Sequence, residues 1–117
     1  MPSEYAALVA ALKLTDIPFA EFGWETRPEG IYGVVSLDFE GDALEADDRK
    51  ADRSWEASVD VFFPELSDRE DTIRKVEEIL TEVCGASWGL NSMQHETGNR
   101  LFHIEWTCQV QDEKDVG

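Results

Sequence analysis

The stretch Ser54-Trp55-Glu56-Ala57-Ser58-Val59-Asp60-Val61-Phe62-Phe63 constrains the fold more than any other. Trp55, Ala57, Val59, Val61 and Phe63 recur at period two, with Glu56, Ser58 and Asp60 between them. That alternation, in β-branched and aromatic residues, predicts a half-buried strand. Pro64 has no N–H for a ladder and ends it. Ser67-Asp68-Arg69-Glu70 then has the spacing of a capping box, in which Ser67 and Glu70 cover orphan amides. The helix expected next carries Ile73, Val76, Ile79, Leu80 and Val83 on one stripe, and Gly85 is its stop. Arg69, Arg74, Lys75, Glu78 and Glu82 fall mainly outside the stripe. A strand and an amphipathic helix therefore form the core pair, and the rest of the chain must cover what they leave exposed.

At 117 residues the chain is one domain's worth, residues 1–117, with room for one modest core. Charge is the outlying property, with 26 acidic residues against 10 basic and a net charge of −16. Such a surface opposes binding to phosphate backbones and to anionic membranes. It permits basic partners, cations, or a surface that must repel nucleic acid. No apolar run approaches the roughly 20 residues of a membrane helix, and no signal peptide is read at the N-terminus. Cys84 and Cys108 lack ligand spacing and are expected to be reduced, buried small residues.

Before the central strand, Tyr5, Leu8, Val9 and Leu12 mark a first helix with Ser3 as its cap. Pro18 biases Ile17 away from helix and closes it. Phe19 to Trp24 and Ile31 to Asp38 are expected to pair as an antiparallel hairpin through a type I turn at Arg27-Pro28-Glu29-Gly30. Phe39 to Asp52 has no strand alternation. It carries Glu40, Asp42, Glu45, Asp47, Asp48 and Asp52, and is expected to project as an acidic loop. After the second helix, Ala86–Glu96 and Leu101–Gln111 form a second hairpin. A two-residue Gly98-Asn99 turn would set Met93 opposite Ile104 but leave Trp88 and Leu90 on the outer face. A three-residue loop would instead align Trp88, Leu90, Ser92 and Gln94 with Cys108, Trp106, Ile104 and Phe102, and is preferred. Polar Asp112 to Gly117 is expected to fray. The expected class is α+β: a mostly antiparallel sheet with two helices on one face, in the order α-β-β-(long loop)-β-α-β-β.

Catalytic patterns are sparse. His103 and Glu105 alternate on one strand, and His95 lies on its neighbour, a set that could in principle take zinc or move protons. Nothing fixes a further ligand, and Ser92 and Thr107 have no evident base. Asp38-Phe39-Glu40-Gly41-Asp42 misses the register of a calcium loop. No phosphate-binding glycine motif or zinc-protease motif is present. The expectation is a non-enzyme without cofactor or resident metal. The aromatic residues are more informative. Phe62 falls on the polar face of the central strand, and Val34 has the opposite parity from Val35 and Leu37. Apolar groups on both faces of a sheet whose helices cover one face predict a subunit contact on the other. Val34, Phe62 and Trp24 are the candidate contact residues.

Several segments carry a resemblance. They are Tyr5-Ala6-Ala7-Leu8 with Leu12-Lys13, Ile17-Pro18-Phe19-Ala20, Gly23-Trp24-Glu25, and Pro28-Glu29-Gly30-Ile31-Tyr32-Gly33-Val34-Val35-Ser36-Leu37-Asp38. Ala46-Asp47-Asp48, Leu90-Asn91-Ser92-Met93-Gln94 and Arg100-Leu101-Phe102-His103-Ile104-Glu105-Trp106 complete the set. Together these resemble the tail terminator and tail-completion proteins of long-tailed phages and prophages, over nearly the whole chain. The resemblance implies an α+β subunit of a virion ring, expected to be a hexamer. The ring caps the tail tube and meets the major tail tube protein and a head-completion or neck protein. DNA would pass through it without specific binding, and the acidic loop would face the lumen or a neighbouring protein. A head–tail joining protein is a close variant of this reading. An acidic DNA mimic that inhibits a basic nucleic-acid-binding protein is the main alternative, and a small metal enzyme using His95, His103 and Glu105 is a third.

Overall fold

The computed structural model describes residues 2–39, 55–64, 67–96, 98 and 101–111. The elements are α1 (Ser3–Lys13), β1 (Phe19–Glu21), β2 (Tyr32–Phe39), β3 (Trp55–Pro64), α2 (Glu70–Cys84), β4 (Trp88–Glu96) and β5 (Leu101–Val110). One sheet runs in the order β1-β2-β3-β5-β4. Both helices lie on one face, so the class is the expected α+β. The central strand is as the alternation predicts. Ala57, Val59, Val61 and Phe63 are fully buried against Ile104, Trp106, Cys108 and Val110 of β5 and Val35 of β2. Tyr5, Leu8, Val9 and Leu12 of α1 close the core from above, with Val76 and Leu80 of α2. Burying each such apolar side chain stabilises the fold by roughly 1.5–3 kcal/mol before chain entropy is subtracted.

β1 departs from the expectation. It pairs with β2 in parallel, Phe19 opposite Gly33 and Glu21 opposite Val35, so the first two strands are not an antiparallel hairpin. The reversal happens at once after β1. Phe22 takes a left-handed φ of 66° and Gly23 a φ of 138°. The chain then doubles back beside β1, held by Trp24 Nε1, which donates to Gly33 O at 2.9 Å. Parallel neighbours ordinarily need a crossover of a dozen or more residues. A strand of three residues needs only a short return, and residues 22–31 supply it.

The caps also differ from those expected. Pro2, not Ser3, sits at the α1 cap. The first turn is tied down by a reciprocal exchange with the end of β5. Glu4 N–H donates to Gln111 O at 2.9 Å, and Gln111 N–H donates to Glu4 Oε1 at 3.0 Å. The Ser67–Glu70 box does not form. Ser67 Oγ donates to Pro64 O at 2.8 Å, and Asp68 Oδ1 accepts from Glu70 N–H at 3.2 Å. Gly85 does stop α2, at φ 65°, donating to Thr81 O at 2.9 Å.

The β4–β5 hairpin uses both registers weighed above. Next to the connection, Glu96 faces Leu101 and Met93 faces Ile104, the alignment of the shorter turn. Beyond Asn91, Leu90 faces Trp106 and Trp88 faces Cys108, the alignment of the longer one. A β-bulge at Asn91 makes the switch by inserting one residue into β4. Trp88, Leu90 and Met93 thereby all stand on the helix side of the sheet.

Candidate interaction face

The face of the sheet away from the helices is built in rows. Strand pairing sets Tyr32, Phe62, His103 and Gln94 side by side across β2, β3, β5 and β4. The next row is Val34, Asp60, Glu105 and Ser92. After it come Ser36, Ser58 and Thr107, and then Asp38, Glu56 and Gln109. An aromatic row thus borders an acidic row, a hydroxyl row and a second acidic row. The alternation that buries Val59 and Val61 on one side is what places Asp60 and Phe62 here.

The aromatic row is stacked. Tyr32 and Phe62 lie 4.9 Å apart between ring centroids at 13°, and Phe62 and His103 lie 4.2 Å apart at 18°. Trp24 meets Tyr32 edge-on at 6.5 Å. Such contacts add about 0.5–1.5 kcal/mol each beyond area burial. Trp24 and Phe62 are half-buried and Tyr32 is buried, so the row forms a firm platform rather than scattered loose side chains. Of the three candidate contact residues, Phe62 and Val34 share this face, and Trp24 closes its β1 end. Tyr32 was not singled out from the sequence, although its parity with Val34 already places it on this face.

Below the platform the electrostatics are unfavourable. Asp60 lies opposite Glu105, and Asp38 opposite Glu56. Like charges directly across a ladder destabilise it. Burial pushes the Asp60 carboxyl above its usual range, Glu105 adds to this, and His103 opposes it. His103 Nε2 and Asp60 Oδ1 stand 3.4 Å apart, closed off from solvent, yet neither makes a hydrogen bond. The other ring nitrogen, Nδ1, approaches Glu96 Oε2 at 3.3 Å. Glu105 Oε1 accepts from Asn91 Nδ2 at 3.0 Å, so the bulge residue serves this face as well.

The zinc set does not assemble. His95 faces Phe102 in the ladder and so belongs to the helix side, whereas His103 and Glu105 belong to the opposite side. Among the described residues no group of three or more His, Cys, Asp or Glu side chains is placed to hold a metal ion. The acidic residues Glu40, Asp42, Glu45, Asp47, Asp48 and Asp52 lie outside the described residues, as do 112–117. No described helix is long and apolar enough to cross a membrane.

Cys108 is buried as expected, whereas Cys84 is only half-buried; the two free thiols are in contact, with their Sγ atoms sharing a hydrogen bond at 3.3 Å. That contact lowers the Cys84 thiol below its usual range and, with burial, raises Cys108. A scan against models of protein families and a search of curated proteins each find no match to this chain.

Proposed function

We propose that this chain is a structural subunit of a long-tailed phage, a tail terminator. Its copies would close into a ring, expected to be a hexamer, on the end of the tail tube and dock it to the head. The observation that carries the reading is the stacked Tyr32–Phe62–His103 platform, on a sheet face that no described element of the chain covers. A stacked aromatic platform of this kind, half-exposed at Trp24 and Phe62, is suited to burial by another surface.

Charge favours a particular kind of contact. Two identical copies of this face pressed together would bring acidic row against acidic row. The face is better matched by a different surface of the next copy, and a head-to-tail contact closes into a ring when its rotation permits. The charge of −16 also suits a passage for DNA, since acidic walls do not hold phosphates. In this reading the residues between Phe39 and Asp52 face that passage, the tail tube protein or a neck protein.

Light scattering on a sizing column, across protein concentration and at two salt levels, tests the proposal. The expected result is a concentration-dependent rise toward a ring mass, lost in Phe62→Asp while circular dichroism stays unchanged. A protein that is monomeric throughout and does not bind purified tail tubes overturns it. The same charge supports a second reading, an acidic DNA mimic. That reading requires the monomer to bind a basic nuclease tightly and with strong salt dependence.

A further inference from the structure

The sheet has one more strand than its helices can cover. A helix is about 10 Å across and strands are spaced about 4.8 Å apart, so each helix roofs about two strands. With two helices and five strands, the edge strand β4 overhangs. Its helix-side residues remain open, with Leu90 50% and Met93 51% exposed, although their partners Trp106 and Ile104 are fully buried. The bulge at Asn91 keeps both on this side.

The result is a groove between β4 and the flank of α2. β4 runs back along α2. Trp88 Nε1 donates to Thr81 Oγ1 at 2.9 Å near the C-terminal end of α2, and Arg69 lies 4.0 Å over the Phe102 ring at the other end. Ile73 and Trp88 contribute apolar lining to a cleft of about 720 Å³ that follows α2 from Glu70 to Glu82, and Leu90 and Met93 extend the apolar surface beyond that lining, exposed on the same side of β4. That span is about 18 Å, or three helical turns. Among the described residues that line the cleft, Glu70, Glu77, Glu78 and Glu82 stand against one cation, Arg74, which is already paired with Asp71 at 2.6 Å, and Arg69 at the groove's end lies over the Phe102 ring.

We infer that this groove receives an amphipathic helix of a partner protein. The helix would lay an apolar stripe on Trp88, Leu90 and Met93 and set lysine or arginine along α2. It would act as the missing third helix of the layer. Charge selects this occupant: a second copy of a chain at −16 brings more acid to an acidic rim. The inference does not rest on the ring reading, which uses the opposite face of the sheet. A protein that stays monomeric yet binds such a helix would separate the two.

The probe is a synthetic amphipathic peptide of about four helical turns, with a leucine stripe flanked by lysines, titrated by calorimetry at physiological salt. The expected result is saturable one-to-one binding. It should weaken at least tenfold in Leu90→Ser/Met93→Ser and in Glu78→Lys/Glu82→Lys, all of them exposed positions or half-exposed edge positions whose change leaves circular dichroism unaltered. A scrambled peptide of the same composition, or one with glutamate in place of lysine, should bind at least tenfold more weakly than the original. Equal binding of the scrambled peptide, unchanged binding by the variants, or no binding overturns the inference. So does a wild-type dimer that Leu90→Ser/Met93→Ser converts to monomer, which would make a second copy the occupant.

Discussion

The indole N–H of Trp106 donates to Glu77 Oε2 at 2.8 Å, joining the fully buried tryptophan of β5 to the flank of α2. Trp106 is wholly enclosed, so its donor has no water to turn to. Glu77→Ala is expected to destabilise the protein by about 1–3 kcal/mol, the cost of a buried donor left without a partner. Glu77→Gln keeps an acceptor and is expected to cost under about 1 kcal/mol. Urea unfolding of both variants checks this. Equal losses would mean that the carboxylate acts through its charge rather than as an acceptor.

The thiol pair offers a second test. Cys84 is half-buried and has the lowered pKa, so a low-molecular-weight disulfide such as oxidised glutathione is expected to react there first. The Cys108 thiolate, 3.3 Å away, then attacks Cys84 Sγ of the mixed disulfide, forming the Cys84–Cys108 bond as the Cys84–glutathione bond breaks and the second glutathione leaves as a thiol. Closing a loop between residues 24 apart is expected to stabilise the fold by about 3 kcal/mol. Thiol titration and thermal unfolding before and after oxidation measure it, with Cys84→Ser as the control. Two thiols persisting after prolonged oxidation would show that the pair cannot reach bonding geometry.

Alternation and helical spacing made much of this architecture legible. The inward set of β3 and the buried stripe of α1 can be read directly from Trp55–Phe63 and Tyr5–Leu12. Both departures in strand pairing have local causes that periodicity does not carry. A left-handed Phe22, a non-glycine residue in that region, turned an expected hairpin into a parallel pair. At Asn91 a single inserted residue let two competing registers coexist. The outer face was legible in part, through Phe62 and Val34. Its Asp60–His103 contact was not, because it is diagonal between β3 and β5 and needs their register, which no single strand encodes. The Glu4–Gln111 exchange likewise joins the two ends of the described chain, beyond the reach of a capping motif.

Asp60 sets a pH dependence. Its folded pKa is raised, by burial first and Glu105 second, so the folded state holds the proton more tightly than the unfolded chain. The associated stability is present below the unfolded value and is lost as pH rises through the folded one. At neutral pH the ionised group therefore costs stability. Asp60→Asn is expected to gain about 0.5–1 kcal/mol there, by removing a like-charge pair, and to lose that advantage below about pH 4. Thermal unfolding of both proteins across this range gives the difference. A less stable Asp60→Asn at neutral pH would mean that the His103 contact outweighs burial and Glu105.

Gly33 is the one glycine of β2, and it lies directly opposite Phe19 of β1. A methyl group added at Gly33 would fall inside the Phe19 ring, which is itself 6% exposed and held against the core. The ring covers the glycine and thereby docks a strand only three residues long. Gly33→Ala must push the ring away or shift β1, and is expected to cost about 1–3 kcal/mol, the range for overpacking. Phe19→Ala leaves a cavity and is expected to cost about 3–5 kcal/mol. If the overlap is the cause, the double variant should lose clearly less than the sum of the two, because removing the ring makes room for the methyl. Urea unfolding of the four proteins closes the cycle. Simple additivity would place the cost of Gly33→Ala in the backbone instead of the ring, and the short parallel strand would then be held by its ladder with β2 and the flanking bonds from Gly33 N–H to Pro18 O at 2.8 Å and from Phe22 N–H to Val35 O at 2.9 Å.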